Sequence, residues 1–353
     1  MSIAGRVRRL KRRVAPGLKD AVAATGYGTG LYHVLGSHYA GRGVVLMFHR
    51  VCPDGDAVLY PGFLVPVSLL DSIVRSVRRA GWDIVTLDEI PARLTQPTAR
   101  RFVCFTFDDG YADNYTLALP VFRRHQAPMA VYIATGFLDR SVFYWWGALH
   151  TLVLSSQTVE LPSLSGGAPS RLPARTLEEK RAAYDALDEL GHQSGDRFFD
   201  AMRDQWARAR IEPQALLDRD ALSRDQARAL AADPLVTIGA HTVTHARLAQ
   251  LSADDARREI AESRSTLEGL VGASVRHFAY PFGGPNSCGP REFELAEREG
   301  FLTAVTTRRG NVFPEHATRL QALPRRNVPL SRRHLLNALF GLETLRRREP
   351  RVQ

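Results

Sequence analysis

The sequence predicts an α/β fold of parallel strands joined by crossover helices, interrupted by a helical insertion over about 143–233. Three observations carry this prediction. Apolar runs of strand length end abruptly on polar residues, stretches with helical spacing lie between them, and the alternation lapses after Phe143 and resumes near Leu235.

Val44 to Phe48 is the first apolar run, and it ends at His49-Arg50, as a buried strand with a polar tip would. Val67 to Ala80 has helical spacing and stops at Gly81; Asp83 to Thr86 is a short strand candidate. Phe102 to Phe107 reads as a strand closed by Asp108-Asp109-Gly110, followed by a helix from about Asp113 to His125 and a strand from Met129 to Ile133. In βαβ units ligands bind beyond the C-terminal strand ends, where His49, Asp108 and Asp109 all fall.

The insertion reads as Tyr144-Trp145-Trp146, a loop rich in Ser, Gly and Pro, and helical segments near Leu177–Trp206, Pro213–Asp218 and Ser223–Ala232. Alternation resumes with strand Leu235–Gly239, helix Ser252–Val271, strand Val275–Ala279, helix Arg291–Glu299 and strand Leu302–Thr306. A helix over about Ser331–Leu345 closes the core region, and no internal repeat is found.

A length of 353 residues accommodates one large α/β domain with an insertion or two ordinary domains, each with a sizeable core. The hydrophobic share of 44% and charged share of 24% favour neither global disorder nor a membrane-embedded fold. The net charge of +10 lies largely at the two ends. Arg6, Arg8, Arg9, Lys11, Arg12, Arg13 and Lys19 precede the first acid, and Arg332, Arg333, Arg346, Arg347, Arg348 and Arg351 mark the tail. Such ends are either solvated or in contact with an anionic membrane or polyanion. Specific nucleic-acid binding is not expected, since no zinc-finger spacing, RNP-like strand or basic zipper accompanies the charge.

Cys52, Cys104 and Cys288 lack C-x-x-C spacing, which argues against a disulfide framework and a thiolate zinc site. The basic N-terminal stretch runs into Gly26, Tyr27, Gly28 and Gly30 instead of an apolar leader core. No window approaches the roughly 18 apolar residues of a membrane span. The placement expected from these features is cytoplasmic, with peripheral contact at the inner membrane face.

Thr106-Phe107-Asp108-Asp109-Gly110 sets two carboxylates side by side at a strand end. A cation would relieve their repulsion: one carboxylate could bind the ion while the other takes a proton from the water it activates. The alternative is a surface Asp-Asp-Gly turn. His241-Thr242-Val243-Thr244-His245 follows another apolar strand, and an i, i+4 histidine pair on one helical turn could direct both imidazoles toward one ion. It lacks the glutamate of H-E-x-x-H, which disfavours peptide hydrolysis by that route. One Asp and two His leave coordination positions open, as a catalytic site requires.

T-F-D-D-G, H-T-V-T-H and Phe278-Ala279-Tyr280-Pro281-Phe282-Gly283, in this order and spacing, resemble the polysaccharide deacetylase family, the NodB-homology or carbohydrate esterase family 4 group. The resemblance covers roughly 43–330 and implies a distorted (β/α) barrel of the NodB-homology type with a helical insertion. It implies Asp108 as catalytic base, Asp109, His241 and His245 as metal ligands, and the Phe282 N–H as an oxyanion donor, with Tyr280 and Pro281 beside it in the substrate-binding segment. Two departures stand out. The motif arginine that orients the base is replaced by Ala279, and the C-terminal L-x-H motif with the general-acid histidine is not evident near Asn327-Val328-Pro329-Leu330. Leu46-Met47-Phe48-His49 resembles the circularly permuted exopolysaccharide deacetylases, in which this strand comes first and His49 would supply the acid; a structural histidine is the alternative.

The expected organisation is a basic arm over 1–42, the deacetylase-like domain over 43–345 and a basic tail over 346–353. Its expected activity is metal-dependent removal of N-acetyl groups from N-acetylhexosamine units of a glycan, or of a lipid- or nucleotide-linked precursor. The metal expected is Zn²⁺, with Co²⁺ or Ni²⁺ able to substitute. Rival readings are hydrolysis of another non-peptide C–N bond and a non-catalytic carbohydrate-binding or membrane-associated module. Tyr144, Trp145 and Trp146 are either a sugar-stacking platform or insertion core, Cys104 a small buried hydrophobe, and Asp113 a support for the following helix.

Overall fold

A computed structural model describes residues 39–96 and 98–341, so the expectations for both basic ends, and for the end of the last helix beyond 341, lie outside the described residues. In chain order the strands are β1 (Gly43–Phe48), β2 (Arg50–Cys52), β3 (Leu64–Pro66), β4 (Asp83–Ile84), β5 (Phe102–Phe107) and β6 (Met129–Ile133), then β7 (Thr158–Leu161), β8 (Ser170–Pro173), β9 (Val236–Ala240), β10 (His277–Ala279), β11 (Thr303–Arg309) and β12 (Leu323–Asn327). The main sheet runs β1-β12-β11-β10-β9-β6-β5-β4, all parallel, and β1 also pairs with β5. Seven strands therefore close into a barrel, with β4 attached outside the ring. Its seam is tight between β1 and β5, where register runs unbroken from Gly43↔Phe102 to Phe48↔Phe107. It is irregular between β11 and β12, where the register shifts between Val305 and Arg309. The barrel is closed but distorted.

Side-chain alternation sorts each strand into two environments. Val44, Leu46 and Phe48 of β1, and Val103, Phe105 and Phe107 of β5, join the core shared with the surrounding helices. Val45, Cys104, Ala130, Tyr132, Ala279, Val305 and Leu323 fill the barrel interior. Both faces are buried, which is why these strands read as continuous apolar runs. Gly239 makes room for this filling, since a Cβ there would lie 2.3 Å from the Tyr132 ring. Carried one step past the strand ends, the same alternation brings His49 and Asp108 to the interior at the barrel mouth.

The insertion is more structured than its sequence indicates. Trp145–Ser155 is a helix, and the Ser/Gly/Pro-rich stretch folds as the antiparallel β7–β8 hairpin. The expected Leu177–Trp206 segment is two helices, Leu177–Ser194 and Asp196–Arg208, broken at Gly195, whose φ is 51°. These elements bury their own core around Trp145, Leu187, Phe198, Met202 and Trp206. The helix expected from Asp113 begins with a π turn, Asn114–Ala118, before the α-helix Leu119–His125. Asp113 does not cap it; its carboxylate accepts from the Val51 N–H at 3.0 Å and from Arg50 Nε at 2.9 Å, tying the turn to β2.

Candidate active site

Asp109 lies just past β5 at φ 77°, and Gly110 follows at 91°. This left-handed turn sends the second carboxylate sideways across the barrel mouth, where an ordinary extended residue would have pointed it out of the barrel. His241 follows β9 and His245 ends the next loop. That loop is not the helical turn expected from i, i+4 spacing. Thr242 and His245 have φ of 64° and 60°, and the Glu259 carboxylate takes the Val243 and Thr244 N–H groups at 2.8 and 2.9 Å. With those N–H groups held by a side chain, the segment is a buttressed loop. Positive φ at a β-branched threonine is a strained conformation of the kind that clusters at functional sites.

The three candidate ligand residues meet: their donor atoms lie within 4.8 Å of one another. Both imidazole Nε2 atoms are 3.3 Å from Asp109 Oδ1, yet neither is aligned as a hydrogen bond, and Oδ1 is buried with no hydrogen-bond partner among the described residues. His241 Nδ1 is 2.7 Å from the Ala279 carbonyl, which can only accept, so the proton sits on Nδ1 and the Nε2 lone pair faces Asp109. A buried carboxylate oxygen facing two imidazole nitrogens, with one lone pair oriented from behind, fits a divalent cation.

The residue that orients Asp108 is Arg325, on β12, which the sequence did not single out. Its guanidinium grips the carboxylate in a bidentate pair, Nη1 to Oδ1 at 2.7 Å and Nη2 to Oδ2 at 2.6 Å. Nε donates to the Thr306 carbonyl at 3.0 Å and Nη1 also to Thr106 Oγ1 at 3.1 Å. Asp108 is 2% exposed and Arg325 1%, so the pair is sheltered from water. Burial raises the Asp108 carboxyl, and Arg325 more than compensates, keeping it below its ordinary value. Ala279, where the motif arginine is missing, faces the same interior and leaves it to Tyr132 and Arg325.

His49 follows β1, whose register on β5 sets it beside Asp108. Its ring lies 4.9 Å from that of Phe63, its Nδ1 is buried with no partner among the described residues, and its backbone carbonyl accepts from Asn114 Nδ2 at 2.8 Å. Burial lowers its basicity, partly offset by Asp109 and Asp108. Phe282 borders the site at φ 60°; its carbonyl is fixed by Thr307 Oγ1 at 2.5 Å, and its N–H has no hydrogen-bond acceptor among the described residues.

Tyr280 and Pro281 do not line the site. The Tyr280 ring packs on Phe278 and Phe293 behind the barrel, and its hydroxyl donates to the Gln321 carbonyl at 2.9 Å. Alternation explains this, because Tyr280 points opposite to Ala279. Pro281 is buried and serves the tight turn closed by Gly283 N–H to its carbonyl at 2.7 Å. All three of the aromatic triplet border the cavity: Trp145 belongs to the insertion's core, Tyr144 packs with Tyr111 and Phe137, and Trp146 lies 5.7 Å from the His245 ring and donates Nε1 to Tyr111 Oη at 3.2 Å.

Above these residues is a cavity of about 950 Å³. Its floor holds His49, Asp108, Asp109, His241 and His245; its walls come from Tyr60–Leu64, the insertion helices and the loop after His245. His316 and His334 do not line it.

An open Asp-His-His donor set beside a buried, guanidinium-held carboxylate, at the C-terminal mouth of a parallel barrel, defines the site class of a hydrolytic (β/α)-barrel enzyme. Residues 95–289 match the polysaccharide deacetylase family, and the chain belongs to it. The Bacillus subtilis protein YxkH is 23% identical over 160 residues, 42% of this chain and 52% of YxkH, so the chain spans about half the length of the curated relative it matches. Among solved structures, the Streptococcus pyogenes deacetylase PplD in complex with acetate shares 18% identity at a TM-score of 0.53, covering 84% of this chain and 97% of PplD. IcaB from Ammonifex degensii shares 18% identity at 0.54, covering 86% and 98%. At these identities the likeness is one of fold, and it accounts for the distorted NodB-type barrel. His49 and Arg325 lie outside the matched segment, on either side of it.

Proposed function

We propose that this protein removes N-acetyl groups from N-acetylhexosamine units of a glycan or glycan precursor in a reaction that requires a divalent metal. The observation that carries this reading is the meeting of Asp109, His241 and His245 beside an ionised Asp108, all on the floor of one cavity. A cation such as Zn²⁺, for which these donors are suited, would polarise the acetamide carbonyl and activate the attacking water.

The chain's own residues divide the remaining work. Asp108 accepts the proton of the water at its carboxylate, and Arg325 fixes the plane of that carboxylate, so the oxygen facing the site cannot rotate away. The Phe282 N–H is available to the oxygen that gains negative charge as the carbonyl is attacked. His49 delivers a proton to the departing nitrogen, without which an amine is a poor leaving group. Trp146 and Phe63 wall the space around His245 and His49.

Ala279 favoured a non-catalytic module only while Asp108 lacked an orienting arginine; Arg325 supplies that contact and removes the support. The test is acetate release from N-acetylglucosamine oligosaccharides and from lipid- and nucleotide-linked N-acetylhexosamines, with and without chelator. Chelator-sensitive release that returns with Zn²⁺ is the expected result. Release of ammonia or a ring-opened product from a cyclic amide, with none of acetate, would favour the alternative C–N hydrolase.

A further inference from the structure

Three arginines line the cavity, and two are already neutralised. Arg50 pairs with Asp113 and Asp220 at 2.9 and 2.8 Å, and Arg219 with Asp220 at 2.7 Å. The guanidinium of the third, Arg247, makes no ion pair and no hydrogen bond among the described residues. Its guanidinium carbon sits 4.3 Å over the Phe282 ring, which is itself 4.9 Å from the His245 ring. The stacking fixes the plane of the guanidinium and leaves its edge, where the donors are, unspent.

The roof contributes two more groups to this corner. His192 packs edge-on against Phe282 at 5.2 Å, and Asp188 Oδ2 lies 3.6 Å from His192 Nε2. Asp188 is pushed up to about 6 by burial and by Asp185, with Arg247 acting in the opposite sense, so at neutral pH it is still mostly ionised; it faces His192 and makes no ion pair with the guanidinium among the described residues. His192 is pushed down to about 4, chiefly by burial, and so adds no fixed charge at neutral pH.

We infer that Arg247 binds an oxyanion carried by the substrate, either on the N-acetylated sugar itself or on the unit next to it, so that the preferred substrate is an anionic N-acetylhexosamine conjugate. This rests on the deacetylase reading for the reaction, but not for the binding. A planar fork of donors matches phosphate or carboxylate bidentately, whereas a neutral hydroxyl offers it a single acceptor and no charge. The cavity is at the upper end of the range for ligand sites, with room for more than one sugar-sized group.

The experiment compares kcat/KM on N-acetylglucosamine 1-phosphate, UDP-N-acetylglucosamine, a disaccharide of N-acetylglucosamine and glucuronate, and neutral diacetylchitobiose, for wild type and Arg247→Gln. At least one anionic probe should be preferred to chitobiose by about tenfold or more, the worth of one charge-assisted contact, and Arg247→Gln should erase that ratio. Preference for the phosphates or for the uronate identifies the source of the oxyanion. Proportionate losses on all four probes, or a preference that survives in Arg247→Gln, would overturn the inference and leave Arg247 as a packing residue. Calorimetric binding of N-acetylglucosamine 1-phosphate to metal-loaded Asp108→Asn protein, with and without Arg247→Gln, separates the two readings. Weaker binding without Arg247, alongside no turnover of any probe by wild type, would sustain the anion site and sink the deacetylase reading. Equal binding would sink the anion site whatever the turnover.

Discussion

The two halves of the candidate site are held by different physics. Asp109 and His245, on the metal side, and Thr242 between the two histidines have left-handed backbones, with φ of 77°, 60° and 64°. Asp108 and His49, on the base side, continue the inward alternation of β5 and β1 and are absent from the positive-φ residues. Bringing three ligands from two loops to one point takes bent backbones at Asp109, Thr242 and His245, at roughly 1–3 kcal/mol each. A base that its strand already aims correctly needs only its carboxylate plane fixed, and a buried guanidinium does that. Mutations on the two sides should therefore fail in different ways.

The largest effects should expose this directly. Asp109→Ala, His241→Ala and His245→Ala are each expected to lose metal and activity together, because a three-residue set has no redundancy. Asp108→Asn should keep its metal while turnover falls by about a hundredfold or more, since the amide preserves shape and removes the proton acceptor. Elemental analysis beside acetate release reads both. Stoichiometric metal in all three ligand variants would refute the metal side; metal loss in Asp108→Asn would reverse the two aspartates' roles.

Arg325→Met comes next and should fail on stability as well as turnover. It leaves Asp108 ionised or forced to protonate in a dry interior, a loss of about 3–5 kcal/mol for breaking a buried pair from one side. Arg325→Met/Asp108→Asn, with no charge left to bury, should recover much of that stability in denaturant melts and none of the activity. If Arg325→Met unfolds at the wild-type denaturant midpoint, the pair does not hold the base in the way its geometry implies.

The same contrast explains what could be read from the sequence. β1, β5 and β6 are buried on both faces, so their sequences are unbroken apolar runs, and their limits agree with the structure to within a residue. Asp108, Asp109, His241 and His245 were legible because motif and strand end coincide. β12 was not, because Leu323-Pro324-Arg325-Arg326-Asn327 has the composition of a loop. Both arginines are buried only because partners from elsewhere in the chain await them, Asp108 just past β5 for Arg325 and Asn311 Oδ1 at 2.9 Å, in the loop after β11, for Arg326. No local signal announces such a partner. A weak signal existed in retrospect: Ala279 demanded a replacement cation, and any arginine at an inward position of a neighbouring strand was a candidate. The β7–β8 hairpin and the His241–His245 loop escaped for a related reason, since tertiary contacts such as those of Glu259 decide the backbone there.

The smallest of these effects, and the one that tests the base side most finely, concerns His49. Its ring is buried beside Asp108, rests on Phe63, and has no hydrogen-bond partner at Nδ1 among the described residues, none of which fixes which nitrogen carries the proton. Burial also disfavours the charged ring. An imidazolium so destabilised is a strong proton donor, and what it contributes depends on how much the leaving group needs a proton. An amine cannot depart without one, whereas an activated aryl acetate departs as a stable phenolate. His49→Ala should therefore keep its metal and its melting temperature, lose about a hundredfold on an acetamide, and lose less than about tenfold on the aryl ester, within the usual range for a single acid catalyst. Both substrates are measured on one preparation. Equal losses would make His49 a wall of the site or a support for Asp108, placing it with Arg325 among the positioning residues. Unchanged amide turnover would leave the base side with Asp108 alone and send the search for the acid to the roof, where Asp188 and His192 line the cavity.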